Sequence, residues 1–186
     1  MRYVTPMVAT ALLTMSAGCL PTDIGSYRLG GGSTSYGTAS LTFSDATDTN
    51  AILAPYRPAI VERLTAVGEG PSAFYGFRTF QGPNMADADD PNARHLGIQF
   101  TGSKPIIGQA YPMSPKGKGA MVTYDEGTLS TPEVWWAKSG TLTFTGNEAG
   151  IVTVVLKDIV MEPPGQSASR GSFTLNGSAS TSSDAF

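Results

Sequence analysis

Cys19 is the only cysteine of this 186-residue chain, and His95 is its only histidine. Those two counts remove most catalytic and metal chemistry at once. One histidine cannot build a multi-histidine metal site, and no second thiol exists to complete a cysteine-rich one. A Ser-His-Asp hydrolase would have to use His95, yet no Gly-x-Ser-x-Gly elbow occurs. The expectation is no catalytic residue, no metal and no cofactor, with a structural or surface role for His95. Two acidic groups invite other chemistry. The run Asp87-Ala88-Asp89-Asp90-Pro91-Asn92 offers oxygen ligands of the kind calcium takes, but Pro91 falls where a ligand belongs, so a solvated turn is the reading. Asp125, Glu126 and Glu133 could supply the two carboxylates of a glycosidase, which must stand at a defined separation across a sugar. Acidic residues flanking a turn are expected to be solvated instead.

Trp135 and Trp136 are adjacent, so on a strand they face opposite sides. Trp136 shares the phase of Leu142 and Phe144. Lys138 shares it too, which predicts a bulge near Ser139-Gly140. This phasing places Trp136 in the core and Trp135 at the rim. Trp135 is then either packed under the 102–118 loop or free as a candidate binding residue for a sugar, a peptide or a neighbouring protein.

The segment before Cys19 reads MRYVTPMVATALLTMSAG. It has a basic start at Arg2, an apolar run from about Val4 to Met15 and small residues at its end, the three parts of a secretory leader. It is too short for a transmembrane helix, and Pro6 argues against one. The tetrad Ser16-Ala17-Gly18-Cys19 resembles the lipobox of bacterial lipoproteins, with Ser16 departing from the aliphatic residue usual there. The resemblance implies cleavage between Gly18 and Cys19, a diacylglycerol on the Cys19 sulfur and a partner that is the membrane itself. Leu20 is not Asp, which in that family leans toward the outer membrane or cell surface. An ordinary secretory leader cut elsewhere, for instance after Ala17, is the alternative.

Residues 19–186 are enough for one domain with a real core. The formal net charge is −3, and it becomes more negative once Arg2 is removed. A mildly acidic chain with dispersed Lys and Arg lacks the basic footprint of a nucleic-acid binder. Twenty-two glycines, 13 prolines and only 15% charged residues point to strands punctuated by turns. The glycine- and serine-rich stretch to residue 38 reads as a flexible tether. Strands are expected at 39–44, in the aromatic run 72–80, at 94–101, 120–124, 134–145, 151–161 and 171–179, with a short extended piece at 109–111. Residues 59–67 fit either a strand or a short helix, and strand is preferred. The last three strands have short links and form an antiparallel meander. The run WWAKSGTLTFTG, a returning strand and GSFTLNG, within residues 134–178, is similar to the C-terminal meander of small bacterial surface lipoproteins of no known activity.

These observations predict an all-β fold, either an antiparallel β-sandwich or a partly open barrel. Residues 1–18 would be the signal peptide, 19–38 the tether, 39–180 a single β-domain and 181–186 a disordered tail. The functional expectation is a membrane-anchored lipoprotein of the cell envelope. It would be non-enzymatic, with a structural or binding role toward envelope proteins or glycans. The alternative is a β-barrel that carries a small apolar ligand.

Overall fold

The computed structural model describes residues 35–47, 56–81, 93–114, 119–127, 133–148, 150–164, 171–184 and 186. Ten strands form one antiparallel sheet. They are β1 (Gly37–Ser44), β2 (Ile60–Val61), β3 (Thr65–Val67), β4 (Phe74–Gln81), β5 (Arg94–Thr101), β6 (Ala110–Pro112), β7 (Gly119–Glu126), β8 (Glu133–Glu148), β9 (Ile151–Glu162) and β10 (Phe173–Ser182). Among the described residues the helical content is one 3-10 turn, Gly70–Ser72, and no helix is long and apolar enough to cross a membrane.

The strand order is β1-β10-β9-β8-β7-β5-β4-β2, with β3 extending the partner edge of β4 and β6 pairing with β8. The two ends of that order meet. The Tyr36 N–H donates to the Val61 carbonyl at 2.9 Å, and Leu41 and Tyr56 exchange backbone bonds at 3.0 and 2.6 Å. The sheet therefore curls into a nearly closed barrel rather than splitting into the two layers of a sandwich. Eight strands around the circuit leave an interior just wide enough for side chains to fill. Alternate residues do fill it: Leu96, Ile98 and Phe100 of β5, Ala120, Val122 and Tyr124 of β7, and Val152, Val154 and Leu156 of β9 belong to one continuous buried cluster. The predicted meander is present as β8-β9-β10.

Residues 59–67 are extended, as preferred, but in two pieces. Val61 and Leu64 are both buried, and a spacing of three cannot point two side chains inward along one unbroken strand. The chain breaks at Glu62-Arg63, and Leu64 rejoins the sheet by bridging Ser183.

Three expectations need correction. The tether boundary moves, because Gly37 and Thr38 already pair with Thr181 and Ser180 in β1. The expected disordered tail is ordered at residues 181–184 and at Phe186. Thr181 and Ser182 complete β10, Asp184 accepts from the Arg63 guanidinium at 2.6 Å, and the Phe186 ring packs against Tyr75 and Phe144. A serine-rich sequence hides this, because its order comes from one terminal aromatic seated on the end of the core.

The tryptophans are also reversed. Trp135 is 2% exposed and Trp136 is 42% exposed. The bulge predicted near Ser139-Gly140 exists, as register shifts on either side of Ser139, and it inverts the phase. Trp135 and Ala137 point inward before it, Leu142 and Phe144 after it. Gly140 makes the bulge possible. Its φ is +108°, and a Cβ there would stand 2.5 Å from the Asp158 carbonyl oxygen, so no other residue fits.

Candidate functional site

The strands alternate in direction, so the barrel has two distinct ends. The start of β5, the end of β7 and the start of β8 meet at one of them. The register there places Arg94 opposite Glu126 and Glu126 opposite Glu133. Arg94 stands in phase with Leu96, Ile98 and Phe100, and Glu126 with Tyr124 and Val122, so both long polar side chains are carried into the barrel. Arg94 is 4% exposed.

Its guanidinium lies over the rings of Phe43, Tyr56 and Tyr124, at 5.0, 5.3 and 5.7 Å from their centroids, a desolvated cation–π arrangement. Its Nε donates to the Tyr124 hydroxyl at 2.7 Å. That hydroxyl donates to Glu126 Oε1, which itself stands 4.0 Å from Nε. Among the described residues the Nη2 of Arg94 is buried without a hydrogen-bond partner. Alongside, the Tyr56 hydroxyl donates to the Thr79 carbonyl at 3.0 Å and accepts from the Thr79 hydroxyl at 2.9 Å.

Burial pushes the Tyr124 phenol well above its ordinary range. The nearby Glu126 charge adds to that, and Arg94 opposes it. Burial likewise raises Tyr56, against the hydrogen bond from Thr79 and the Arg94 charge. Both phenols therefore stay protonated near neutral pH and serve as hydrogen-bond donors rather than as bases or nucleophiles. The cluster has the composition of a polar plug: one cation, one carboxylate and two phenols, sealed by Phe43, Phe173 and Trp135. The sequence reading passed over Arg94, although its phase with Leu96, Ile98 and Phe100 was the available signal.

The structure disperses the other sequence candidates. Trp135 is part of the plug's wall. Its indole N–H donates to the Gly171 carbonyl at 3.1 Å, and its ring packs on Tyr124 and Phe173, so it presents nothing to a ligand. The exposed indole is that of Trp136, on the outer wall, where Thr123 and Glu162 flank it in register and Glu162 pairs with Lys138 at 2.7 Å. His95 sits on the outer face of β5, its Nδ1 2.6 Å from Asp125 Oδ2 and its ring edge-on to Phe80. Glu126 is buried rather than solvated. Gly18, Cys19 and the run 87–92 lie outside the described residues.

A shallow groove of about 340 Å³ follows the β1–β10 seam on the outside, lined by Thr38, Ser40, Ser178, Ser180, Arg57 and Pro58 with Ala39. Among the described residues no group of three His, Cys, Asp or Glu side chains is placed to hold a metal ion. No family model matches this chain, and neither does any curated protein or solved structure.

Proposed function

We propose that this chain is a lipid-anchored protein of the cell envelope whose barrel works through its outer surface, as a non-enzymatic structural or binding module. The observation that supports this most is the filled interior. The inward side chains pack as one cluster. Phe186 covers it at one end by packing on Tyr75 and Phe144, and the Arg94–Tyr124–Glu126 plug covers it at the other. The apolar-ligand carrier needs a chamber that these side chains occupy. Contacts with a partner then fall to the wall, where Trp136 offers an exposed aromatic beside the Lys138–Glu162 pair, a surface suited to a protein or a glycan.

The anchor part of the reading rests on the Ser16-Ala17-Gly18-Cys19 tetrad and its leader. Two acyl chains on one sulfur give stable membrane attachment, whereas one gives only marginal binding. Mass spectrometry of the mature N-terminus is expected to show a chain beginning at Cys19 and carrying a diacylglycerol. Cys19→Ala is expected to move the protein from the membrane fraction to the soluble one. A bare thiol, or a variant that stays with the membrane as firmly as the parent, overturns the anchor. Capture of envelope proteins or sedimentation with peptidoglycan is expected to weaken in Trp136→Ala. Equal capture by parent and variant removes Trp136 from the binding surface.

A further inference from the structure

Of the six exposed large apolar side chains among the described residues, Trp136 stands on the wall, and the other five, Tyr36, Val67, Ile106, Ile107 and Ile151, belong to the end of the barrel opposite the Arg94 plug. Val67 closes β3 opposite Phe74, the first residue of β4. Ile106 and Ile107 lie in the connection from β5 to β6. Ile151 opens β9 opposite Ser182, the last residue of β10. Tyr36 immediately precedes β1 and is held at this rim, where its carbonyl accepts from the Ser182 N–H at 3.0 Å. Single exposed aliphatic residues are normal on a protein surface, but a ring of them contributed by four separate segments marks an interaction face.

We infer that this rim is a lipid-docking face, seated on the same bilayer that holds the Cys19 acyl chains. The inference rests on the anchor reading above. The chain itself says what covers the rim. The polypeptide from Cys19 enters the barrel here, at Ser35-Tyr36, and about sixteen residue steps separate the two points. Whatever its conformation, that length spans at most ~55 Å, so the acyl chains hold this rim at high effective concentration near the lipid. The polar groups at the rim suit a headgroup layer. Tyr36 is an amphipathic ring with the Arg63 guanidinium 5.3 Å from its centroid, the kind of pair found where membrane meets water. Lys104 lies over the Phe186 ring at 5.2 Å, with a stem that can follow the apolar surface while its ammonium reaches phosphate. Docking would fix the barrel's orientation and turn the Arg94 end away from the membrane.

The single native cysteine makes the test clean. The lipidated protein is reconstituted in phosphatidylethanolamine–phosphatidylglycerol vesicles containing brominated lipid. A thiol-reactive fluorophore is placed at Ile107→Cys, at Ile151→Cys or, as the opposite-end control, at Ser44→Cys. The parent, its thiol occupied by lipid, is expected to take no label. Labels at 107 and 151 are expected to lose at least about half their emission, as groups seated roughly 5–10 Å into the headgroup–acyl boundary would, and the label at 44 is expected to keep its emission. Ile106→Asp combined with Val67→Asp is expected to relieve the quenching at 151. If the parent takes label at Cys19, the anchor fails and the docking face fails with it. If the parent is blocked but the labels at 107 and 151 are quenched no more than that at 44, the anchor stands and the docking face is overturned. Protection of the rim in native membranes but not in pure lipid assigns it to a protein partner, which also overturns the proposal.

Discussion

Removing one oxygen atom probes the plug at the Arg94 end. Tyr124→Phe keeps the ring and its contacts with Phe43, Trp135 and Phe173 and deletes only the hydroxyl. That hydroxyl accepts from Arg94 Nε at 2.7 Å and donates to Glu126, whose side chains are 5% and 9% exposed. A hydrogen bond to a charged group contributes about 1.5–3 kcal/mol. Two are lost together, at a depth where water cannot replace them, so the expected cost is about 3–5 kcal/mol. For a domain of this size that lowers the melting temperature by roughly 10 °C. Urea unfolding followed by tryptophan fluorescence measures it, with an unchanged slope showing that the same surface unfolds. Arg94→Met alone is expected to cost a similar ~3–5 kcal/mol, because it leaves a buried carboxylate without its cation. The combination of Arg94→Met, Tyr124→Phe and Glu126→Leu removes the cation, the carboxylate and the hydroxyl between them together, leaves the Tyr56 hydroxyl bonded to Thr79, and is expected to fall within about 1 kcal/mol of the parent. A loss below ~1 kcal/mol in Tyr124→Phe, or a triple variant as unstable as the sum of its parts, would refute the account of this end as a network held together through the Tyr124 hydroxyl.

Three further outcomes are expected. The folded-state pKa of Tyr56 and of Tyr124 is raised by burial, so the stability these phenols contribute is present below about pH 10, the unfolded value, and is lost as pH rises above it. The loss is about 1.4 kcal/mol per pH unit for each phenol. Urea midpoints that are the same at roughly pH 9 and pH 11 would rule this out. Trp135→Ala should cost about 3–5 kcal/mol as a cavity mutation, whereas Trp136→Ala should stay within ~1 kcal/mol as a surface change. Equal denaturation midpoints for the two variants would contradict the phase inversion at the bulge. Phe186→Ala should destabilise by about 1–2 kcal/mol through the lost packing on Tyr75 and Phe144, and a midpoint identical to the parent's would return the C-terminus to the status of a loose tail.

The legible parts of this fold are those where alternation is unbroken. His95-Leu96-Gly97-Ile98-Gln99-Phe100 and Val152-Thr153-Val154-Val155-Leu156 read as strands because every second residue is apolar, and the structure buries those residues. Legibility fails where one residue is inserted. The sequence marks the bulge, through Lys138 and Gly140, but not its consequence. A bulge carries the strand through a half-step, so counting phase across it assigns the wrong tryptophan to the core. Arg94 is passed over and Glu126 is expected in solvent for a different reason. Their positions obey the alternation, but their charge argues for solvent, and a sequence does not show that Arg94 and Glu126 lie opposite one another on two paired strands. The order of the last residues was hidden because Phe186 acts by capping a core assembled from Tyr75 and Phe144, far away in the chain.

The same two strands show why a barrel would keep a buried ion pair that contributes little net stability. Arg94 faces Glu126 and, one step along, His95 faces Asp125. The first pair points inward and the second outward. A one-residue slip of β5 against β7 would exchange the faces. His95 would be driven into the aromatic end of the core, while Arg94 would leave the rings of Phe43, Tyr56 and Tyr124. A purely apolar end offers no such penalty, because Leu or Phe in a slipped register still finds grease. The Arg94–Glu126 ion pair on one face and the His95–Asp125 hydrogen bond on the other make the correct register the one in which both pairs form. In a barrel that closes on itself through the Tyr36–Val61 and Leu41–Tyr56 backbone bonds, an error of one residue anywhere in the circuit would leave that seam unmade.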